Sequence, residues 1–218
     1  MKEIAIFGAG GMGREVACVV NRINKENGSP LWNLVGFYDD GISEGTHNEF
    51  GKILGGIEAL NGLDRELNLI IAIGDPMLIR RVHHSINNPK ISYPNIIDPT
   101  VDFWDKDSLQ IGMGNIMCPH CSISCNVKIG NFNIFNGEVS IRHDVLIENY
   151  NAFMPGVRIS GGVKVGYRNF FGLNVAVTQY RSIGNNTRIG AGSIVMSDAI
   201  DDSFYIGVPA QQKELIRE

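Results

Sequence analysis

Large apolar side chains recur at every sixth position through the second half of the chain. A period of six is neither the 2.0 of an ordinary strand nor the 3.6 of a helix. It is typical of a solenoid in which each hexad supplies one short strand and one corner, with its large apolar residue pointing inward. The series comprises Ile111, Met117, Ile123, Ile129, Phe135, Ile141, Ile147, Phe153, Ile159, Val165, Phe171, Val177, Ile183, Ile189 and Val195.

A second spacing indicates how many hexads close one coil. Asn115, Asn133, Asn151 and Asn169 recur at every eighteenth position, so three hexads form one turn. Residues separated by this spacing then stack about 4.8 Å apart in neighbouring coils, where parallel strands pair. We therefore expect residues 101–200 to form about five coils of a three-sided parallel β-helix. The pattern alone does not set the hand of this helix.

The first part of the chain has a different pattern, in which apolar runs alternate with amphipathic stretches. Residues 3–7 are predicted to form a buried strand, and the glycine-rich loop at 8–13 leads into a predicted helix over 14–25. Two further strands are predicted at 34–38 and 69–73. Strands that alternate with helices predict a small parallel sheet whose ligand lies at the carboxyl ends of the strands.

Two domains follow from these patterns. Residues 1–95 are expected to form a Rossmann-like α/β half domain, and residues 96–218 an all-β parallel β-helix that ends in a short C-terminal segment. A glycine turn before a helix exposes N–H groups that favour a phosphate, and Asp39 could accept hydrogen bonds from a ribose. An NAD-dependent enzyme is one alternative, but about 95 residues suffice for one mononucleotide-binding half only. A single nucleotide with a pendant group fits better.

Composition narrows the classes of function. The chain has 19 Lys and Arg against 23 Asp and Glu, for a net charge of -4, which argues against a nucleic-acid partner. No apolar stretch approaches the roughly 18 residues that a membrane span needs, so a cytoplasmic protein without membrane insertion is expected. Three of the four cysteines, Cys118, Cys121 and Cys125, lie near His120 and suggest zinc, but the repeat places their side chains at different phases of the coil. No metal site is expected.

Both domains carry residues that resemble a known family. In the repeat, Gly, Ala or an acidic residue often follows the aliphatic residue, and the series is followed by the run from Ile206 to Ala210, which contains Gly-Val-Pro-Ala. This resembles the left-handed β-helix acyltransferases. Combined with the glycine loop, the whole chain resembles the bacterial sugar acetyltransferases of the PglD-like group, which N-acetylate UDP-4-amino-sugars, and of the sialic acid O-acetyltransferase NeuD type.

The resemblance implies where ligands bind. In that family the glycine loop holds the diphosphate of a nucleotide sugar, and paired carboxylates after the second strand hold the uridine. Met12 replaces a frequent family histidine in this loop, and Ala152 replaces a second histidine near the acetyl group, so the acyl pocket is expected to be larger or less polar. The implied substrate residues are Gly10, Gly11, Met12, Asp39, Asp40, Gly74 and Asn136, and the implied coenzyme A residues are Ala152, Leu173 and Ala191.

Acetyl transfer from a thioester needs a base for the attacking group and donors for the oxyanion. His143 lies two residues after the inward Ile141, so its ring should project outward at a corner beside Asp144. Gly161 stands one coil later, where the missing side chain leaves an N–H uncovered. The resemblance assigns the same three residues as base, supporting acid and oxyanion donor. The other four histidines are expected to be solvated or structural.

Together with the His143 corner, the resemblance implies an acetyl-CoA-dependent N-acetyltransferase that acts on a nucleotide-linked amino sugar of the UDP-4-amino-sugar type. Direct attack is expected, because no Cys or Ser is predicted beside His143 as a covalent relay. Outward apolar residues such as Met154 and Phe170 need cover, which favours a homotrimer with active sites between subunits, as in the family. A sugar or sialic acid O-acetyltransferase and a non-catalytic nucleotide-sugar binding protein are the alternatives.

Overall fold

The structure is a computed structural model that describes residues 1–214. The end of the predicted C-terminal segment, residues 215–218, lies outside the described residues. The chain divides into two compact units. One consists of Met1–Pro99 with Met113–Ile116, and the other of Thr100–Gly112 with the chain from Met117 onward.

The first unit contains a four-stranded parallel sheet, in which the strands lie side by side in the order Trp32–Tyr38, Lys2–Phe7, Leu67–Ile71 and Ile91–Ser92. Its apolar strands are buried as predicted, and Ile4, Ile6 and Ile70 are fully inaccessible. Within residues 1–214, none of the helices combines the length and the apolar character needed to cross a membrane. The elements are β1 (Lys2–Phe7), α1 (Gly11–Glu26), β2 (Trp32–Tyr38), β3 (His47–Asn48), β4 (Gly51–Lys52), α2 (Ile57–Asn61), β5 (Leu67–Ile71), α3 (Pro76–Ser85), β6 (Ile91–Ser92) and β7 (Ile96–Ile97).

Helix α1 starts three residues earlier than predicted because the glycine loop itself enters the helix. Gly10 is the N-cap, and Gly11 opens the first turn. Gly13 lies so close to the carbonyl oxygen of Gly8 that any Cβ at this position would overlap it. This contact holds the start of α1 against the end of β1, and the buried face of the helix continues through Val16 and Val20.

The second unit contains the predicted three-sided parallel β-solenoid. Parallel partners lie one coil of three hexads apart, as in the pairing of Ser122 with Ser140 and of Lys128 with Leu146. The strands are β8 (Asp102–Phe103), β9 (Gln110–Ile111), β10 (Ile116–Met117), β11 (Ser122–Ile123), β12 (Lys128–Ile129), β13 (Ile134–Phe135), β14 (Ser140–Ile141), β15 (Leu146–Ile147), β16 (Ala152–Phe153), β17 (Arg158–Ile159), β18 (Lys164–Val165), β19 (Phe170–Phe171), β20 (Ala176–Val177), β21 (Ser182–Ile183), β22 (Arg188–Ile189) and β23 (Ile194–Val195).

The solenoid has about six turns, against about five expected from the repeat. Strands at both ends extend it, since β7 lies beside β10 before the first predicted coil and β24 (Phe204–Gly207) pairs parallel to β22 after the last hexad. Strand β25 (Ala210–Lys213) then pairs antiparallel to β24, and the turn between them contains the Gly-Val-Pro-Ala sequence. The predicted short C-terminal segment is therefore a hairpin in its described part.

The interior of the solenoid is filled by columns of like side chains. All fifteen periodic residues except the first, Ile111, are buried. The rings of Phe135, Phe153 and Phe171 stack with centroid separations of 5.0 and 4.7 Å. In a second column, Asn133 Oδ1 accepts hydrogen bonds from the backbone N–H and the amide group of Asn151. This amide ladder satisfies buried polar groups that would otherwise destabilise the fold.

The corners have one backbone conformation that recurs at every sixth position. The second residue of each corner has a positive φ, for example 60° at Asp144, 60° at Tyr150 and 59° at Tyr180, and glycine takes the same role at 156, 162 and 192. Left-handed backbone is uncommon for residues with a Cβ, so the stacked coils must hold it in place. It turns the chain sharply, and the side chains at such corners are exposed at Asn126, Asp144 and Tyr180, whereas that of Phe132 is buried.

Candidate active site

His143 and Asp144 occupy the corner between β14 and β15. Ile141 points into the core just before this corner, and Val145 points inward just after it. The two corner side chains are therefore directed outward, and those of His143 and Asp144 are 51% and 55% exposed. The prediction that the imidazole lies outside the solenoid agrees with this placement.

The carboxylate of Asp144 orients the imidazole of His143, and Asn126 of the preceding coil in turn orients that carboxylate. His143 Nδ1 lies 2.8 Å from Asp144 Oδ2, and Asn126 Nδ2 donates to Asp144 Oδ1 at 2.5 Å. The hydrogen bonds from His143 and Asn126 lower the pKa of Asp144 below its ordinary value. An ionised Asp144 favours the tautomer with a proton on Nδ1, which leaves Nε2 of His143 to accept a proton from a substrate.

Gly161 lies one coil after His143 at the same corner and is buried beneath the imidazole. A Cβ at this position would lie only 2.5 Å from His143 Nε2 and 3.0 Å from Nδ1, so the ring rests on bare glycine backbone. Gly162 N–H donates to the carbonyl oxygen of His143, and Gly161 accepts from Tyr180 N–H. Within residues 1–214, the Gly161 N–H donates no hydrogen bond. The described chain thus leaves one backbone donor uncommitted beside the imidazole.

One expectation about this corner is wrong. The sequence reasoning placed no cysteine beside His143, but Cys125 occupies the same corner one coil earlier and is exposed. Its carbonyl oxygen accepts from Asp144 N–H at 3.2 Å. The error arose from reading neighbours along the chain, whereas in a solenoid the nearest neighbours lie one full coil away in sequence.

The predicted coenzyme A residues lie elsewhere on the same prism. Leu173, 50% exposed, and Ala191 stack at a different corner from His143, with Gly192 N–H donating to the Leu173 carbonyl oxygen. Asn136 lies at the strand end before that corner and accepts from Gly137 N–H. Ala152 is fully buried in β16. One chain therefore does not bring these four residues to the His143 corner, and their roles stay predictions.

The predicted phosphate loop is open to solvent in the first unit. Gly10 and Gly11 are exposed, and a Cβ added at either would meet no atom within 4 Å. Met12 is half-buried in the first turn of α1. Gly74 also has open space beside it, and Asp75 after it caps α3 by accepting from Met77 N–H. The loop geometry accommodates an anion at the N-terminus of α1.

The paired carboxylates have structural partners that the sequence did not reveal. Asp39 Oδ2 accepts from Ala9 N–H, and Asp39 Oδ1 accepts from Gly41 N–H, both at 2.9 Å. Asp40 Oδ1 accepts from Ile57 N–H at 2.8 Å. Asp39 thus ties the glycine loop to the end of β2. Each carboxylate oxygen can accept a further hydrogen bond, so a role in nucleoside binding stays a prediction.

The cysteine cluster is not arranged for a metal. Cys118 and Cys121 are buried in the solenoid, and the Cys121 thiol faces the carbonyl oxygens of Phe135 and Asn136. No group of three or more His, Cys, Asp or Glu side chains in the described part of the chain is placed to hold a metal ion.

Sequence reasoning missed two residues of this corner, Asn126 and Tyr180. Asn126 orients Asp144, and the ring of Tyr180 lies against Gly162. Both could have been found by extending the one-coil spacing that related His143 to Gly161, because Asn126, Asp144, Gly162 and Tyr180 form one such series.

Comparisons with known proteins agree with this architecture. Residues 3–86 match the family model of the PglD N-terminal domain. A search of curated proteins finds no match.

Similar solved structures cover nearly the whole chain. PerB from Caulobacter crescentus, in complex with CoA and GDP-perosamine, is 26% identical over 98% of each chain, with a TM-score of 0.83. A perosamine N-acetyltransferase from the same organism matches with the same identity and coverage and a TM-score of 0.84. The acetyltransferase domain of PglB from Neisseria gonorrhoeae, with acetyl coenzyme A, is 24% identical over 97% of this chain and 99% of that chain, with a TM-score of 0.86. WeeI from Acinetobacter baumannii is 22% identical over 98% of this chain and 100% of that chain, with a TM-score of 0.86.

The similarities to PglB and WeeI, at 24% and 22% identity, show the fold alone, whereas the similarities at 26% identity include a perosamine N-acetyltransferase. Residues 3–86 thus match a PglD N-terminal domain, and the whole chain, including its hexapeptide solenoid, has the fold of these solved acetyltransferases.

Proposed function

We propose that the protein transfers the acetyl group of acetyl-CoA to the amino group of a nucleotide-linked amino sugar. The observation that carries this proposal is the His143 ring, paired with Asp144 and resting on Gly161, whose N–H is unused within the described residues. The similarity to PerB, which was crystallised with CoA and GDP-perosamine, supports the same class of substrates.

The proposed reaction is a direct attack on the thioester. His143 Nε2 takes a proton from the amine as its nitrogen bonds to the thioester carbonyl carbon. The Gly161 N–H donates to the oxygen that becomes negatively charged. When the tetrahedral intermediate collapses, the C–S bond breaks, and the imidazolium returns its proton to the thiolate of CoA. Asp144 keeps the ring oriented and stabilises its charged form. The mechanism needs no metal ion.

The remaining predicted residues receive binding roles in this proposal. The diphosphate would bind at Gly10 and Gly11 with Met12 beside it, where the helix N-terminus offers backbone N–H groups. Asp39 and Asp40, with Gly74 at the neighbouring strand end, would contact the nucleoside. On the solenoid, Asn136 would contact the sugar. Coenzyme A would contact Ala152, Leu173 and Ala191.

A complete site requires more than one copy of the chain. His143 and Leu173 stand at different corners, and one side of the prism is six residues long, or roughly 15–20 Å at strand spacing. Coenzyme A that contacts Leu173 and presents its thioester at His143 fits best between two subunits, each of which supplies one of these corners. We therefore propose a homotrimer with active sites between subunits, located in the cytoplasm.

The test is the release of the CoA thiol when acetyl-CoA is mixed with UDP-linked and GDP-linked amino sugars. The wild-type protein should acetylate an amino sugar, and His143→Ala should lose about 10²-fold or more in turnover. His84→Ala, a histidine of α3 in the other unit, is the control. Near-normal turnover by His143→Ala would remove the mechanism.

The same assay separates the alternatives. A protein that accepts only hydroxylated sugars would be an O-acetyltransferase, and one that binds no acetyl-CoA in calorimetry would be a non-catalytic binding protein. Cys125→Ala should retain turnover if the attack is direct. An acetylated Cys125 detected by mass spectrometry during turnover would instead indicate a covalent relay.

A further inference from the structure

We infer that the ring of Tyr180 is the surface on which the sugar ring of the acceptor packs, so that Tyr180 positions the amino group against His143. The inference rests on the proposed function and assigns a specificity residue to that site. Tyr180 lies two coils after Asp144 at the same corner, and it is 70% exposed. Exposure of a large aromatic side chain at this corner indicates a contact that the single chain does not supply.

The backbone fixes the direction of the Tyr180 side chain. Its φ is 59°, the left-handed value that all corners of the solenoid share. The Tyr180 N–H donates to the carbonyl oxygen of Gly161 at 3.0 Å, which binds this corner to the coil before it. The root of the side chain is therefore held by the same glycine on which the His143 ring rests.

Gly162 leaves room for one edge of the Tyr180 ring against the coil. A Cβ at Gly162 would lie 2.6 Å from Tyr180 Cε1, so only glycine leaves room for the ring there. The equivalent residues of the two earlier coils, Asn126 and Asp144, both carry side chains. The Tyr180 ring thus occupies the one place in this series where a side chain is absent.

The rings of His143 and Tyr180 converge on consecutive residues. His143 leans over Gly161 from the preceding coil, and Tyr180 leans over Gly162 from the following coil. A ligand that places its amine at His143 Nε2 therefore has the exposed face of Tyr180 beside it. Asp144 is bonded to Nδ1 of the imidazole and leaves Nε2 for the ligand.

The chemistry of the exposed ring suits a pyranose. One face of a sugar ring presents C–H groups, which pack favourably on the electron-rich face of an aromatic ring, while the hydroxyl groups stay in water. The pantetheine of coenzyme A, the other ligand of the reaction, is a flexible chain that presents no such ring face. The acceptor sugar is therefore the ligand that the Tyr180 ring contacts.

Tyr180→Ala and Tyr180→Phe test the inference. The alanine variant should raise the KM for the nucleotide sugar about tenfold, leave the KM for acetyl-CoA unchanged and lower kcat less. The phenylalanine variant keeps the ring and should retain the wild-type KM. Tyr167→Ala is the control, because it removes a partly exposed tyrosine at a different corner of the same solenoid.

Binding measurements separate this inference from the proposed function. Calorimetry with the nucleotide sugar and each variant reads the ring contact without turnover, and Tyr180→Ala should bind about tenfold more weakly than wild type while Tyr180→Phe binds equally well. Equal binding of the sugar by Tyr180→Ala, or a rise confined to the KM for acetyl-CoA, would overturn the inference even if the enzyme is active. If wild type shows no acetyl transfer, the proposed function fails, and the same titrations still decide the contact.

Discussion

Replacement of Gly161 by alanine tests the geometry of the site separately from the stability of the coil. The added Cβ would lie 2.5 Å from His143 Nε2, whereas ordinary contact begins near 3.4 Å. The imidazole must therefore move by roughly 1 Å, and a displacement of that size costs about 10²-fold in rate when it affects a catalytic group. We expect kcat of Gly161→Ala to fall by about two orders of magnitude.

The fold should tolerate this change. The φ of Gly161 lies outside the left-handed region, so alanine can adopt the native backbone conformation. The atoms that the Cβ meets belong to a half-exposed side chain that can rotate away. The free energy of unfolding should therefore change by less than about 1 kcal/mol, since the loss of glycine freedom in the unfolded chain offsets part of any local cost. Urea unfolding followed by circular dichroism measures this quantity.

A double-mutant cycle with His143→Ala shows whether Gly161 acts through the ring. If the alanine at 161 only displaces the imidazole, the double variant should be no slower than His143→Ala alone, because the backbone N–H is still present. Gly62→Ala is a control in the other unit, since its Cβ would meet only ordinary contacts, the nearest at 3.5 Å. Near-wild-type kcat in Gly161→Ala would refute the proposed stacking of base and donor.

Three other changes have defined outcomes. Asp144→Asn should lower kcat about tenfold or more. Because the pKa of Asp144 is lowered, its pairing with His143 persists at neutral pH and is lost only as the pH falls through that lowered value. The pH–rate profiles of the wild-type protein and of the variant check this. Phe153→Ala removes the middle ring of the buried stack and should cost about 3–5 kcal/mol in urea unfolding, whereas Leu146→Ala on the exposed face should cost far less. Burial and the nearby His84 lower the pKa of His83. As the pH falls, His83 is therefore protonated in the unfolded chain before it is protonated in the folded protein, and the melting temperature should fall as the pH drops through the ordinary value of 6.5. His83→Gln should make this fall smaller.

The solenoid was predictable because its periodicity repeats the same physical requirement many times. Each coil needs large inward residues at fixed spacing, and the one-coil register is observed in pairings such as Ile123 with Ile141. The first coil was less predictable. Strand β8 pairs with β11 at a longer spacing, with Asp102 opposite Ser122, because the chain between Phe103 and Ile111 has two positions more than a hexad. A single interruption has no periodic signal of its own.

The sequence predicted which residues of the candidate site stack on one another in successive coils, but not which atoms their side chains contact. Counting by whole coils placed His143 over Gly161, and the structure has the ring there. The sequence could not show that Asp39 accepts two backbone hydrogen bonds, because those donors come from another loop and from its own turn. Nor could it show which way the Tyr180 ring leans, since this depends on a left-handed corner and on the space above Gly162.

Because the corner conformation recurs, the place of each outward side chain on the surface of the solenoid follows from its residue number. A residue number gives both the coil and the column in which a side chain stands, and exchange of one outward side chain leaves the backbone positions of the others unchanged. The chain can also lengthen at a corner. Two extra positions precede Ile111, and the pairing of Gln110 with Lys128 resumes the ordinary one-coil spacing directly after them. Single substitutions of outward residues can therefore change which acceptor is preferred, and insertions at corners can lengthen the chain, while the residues of the core stay the same.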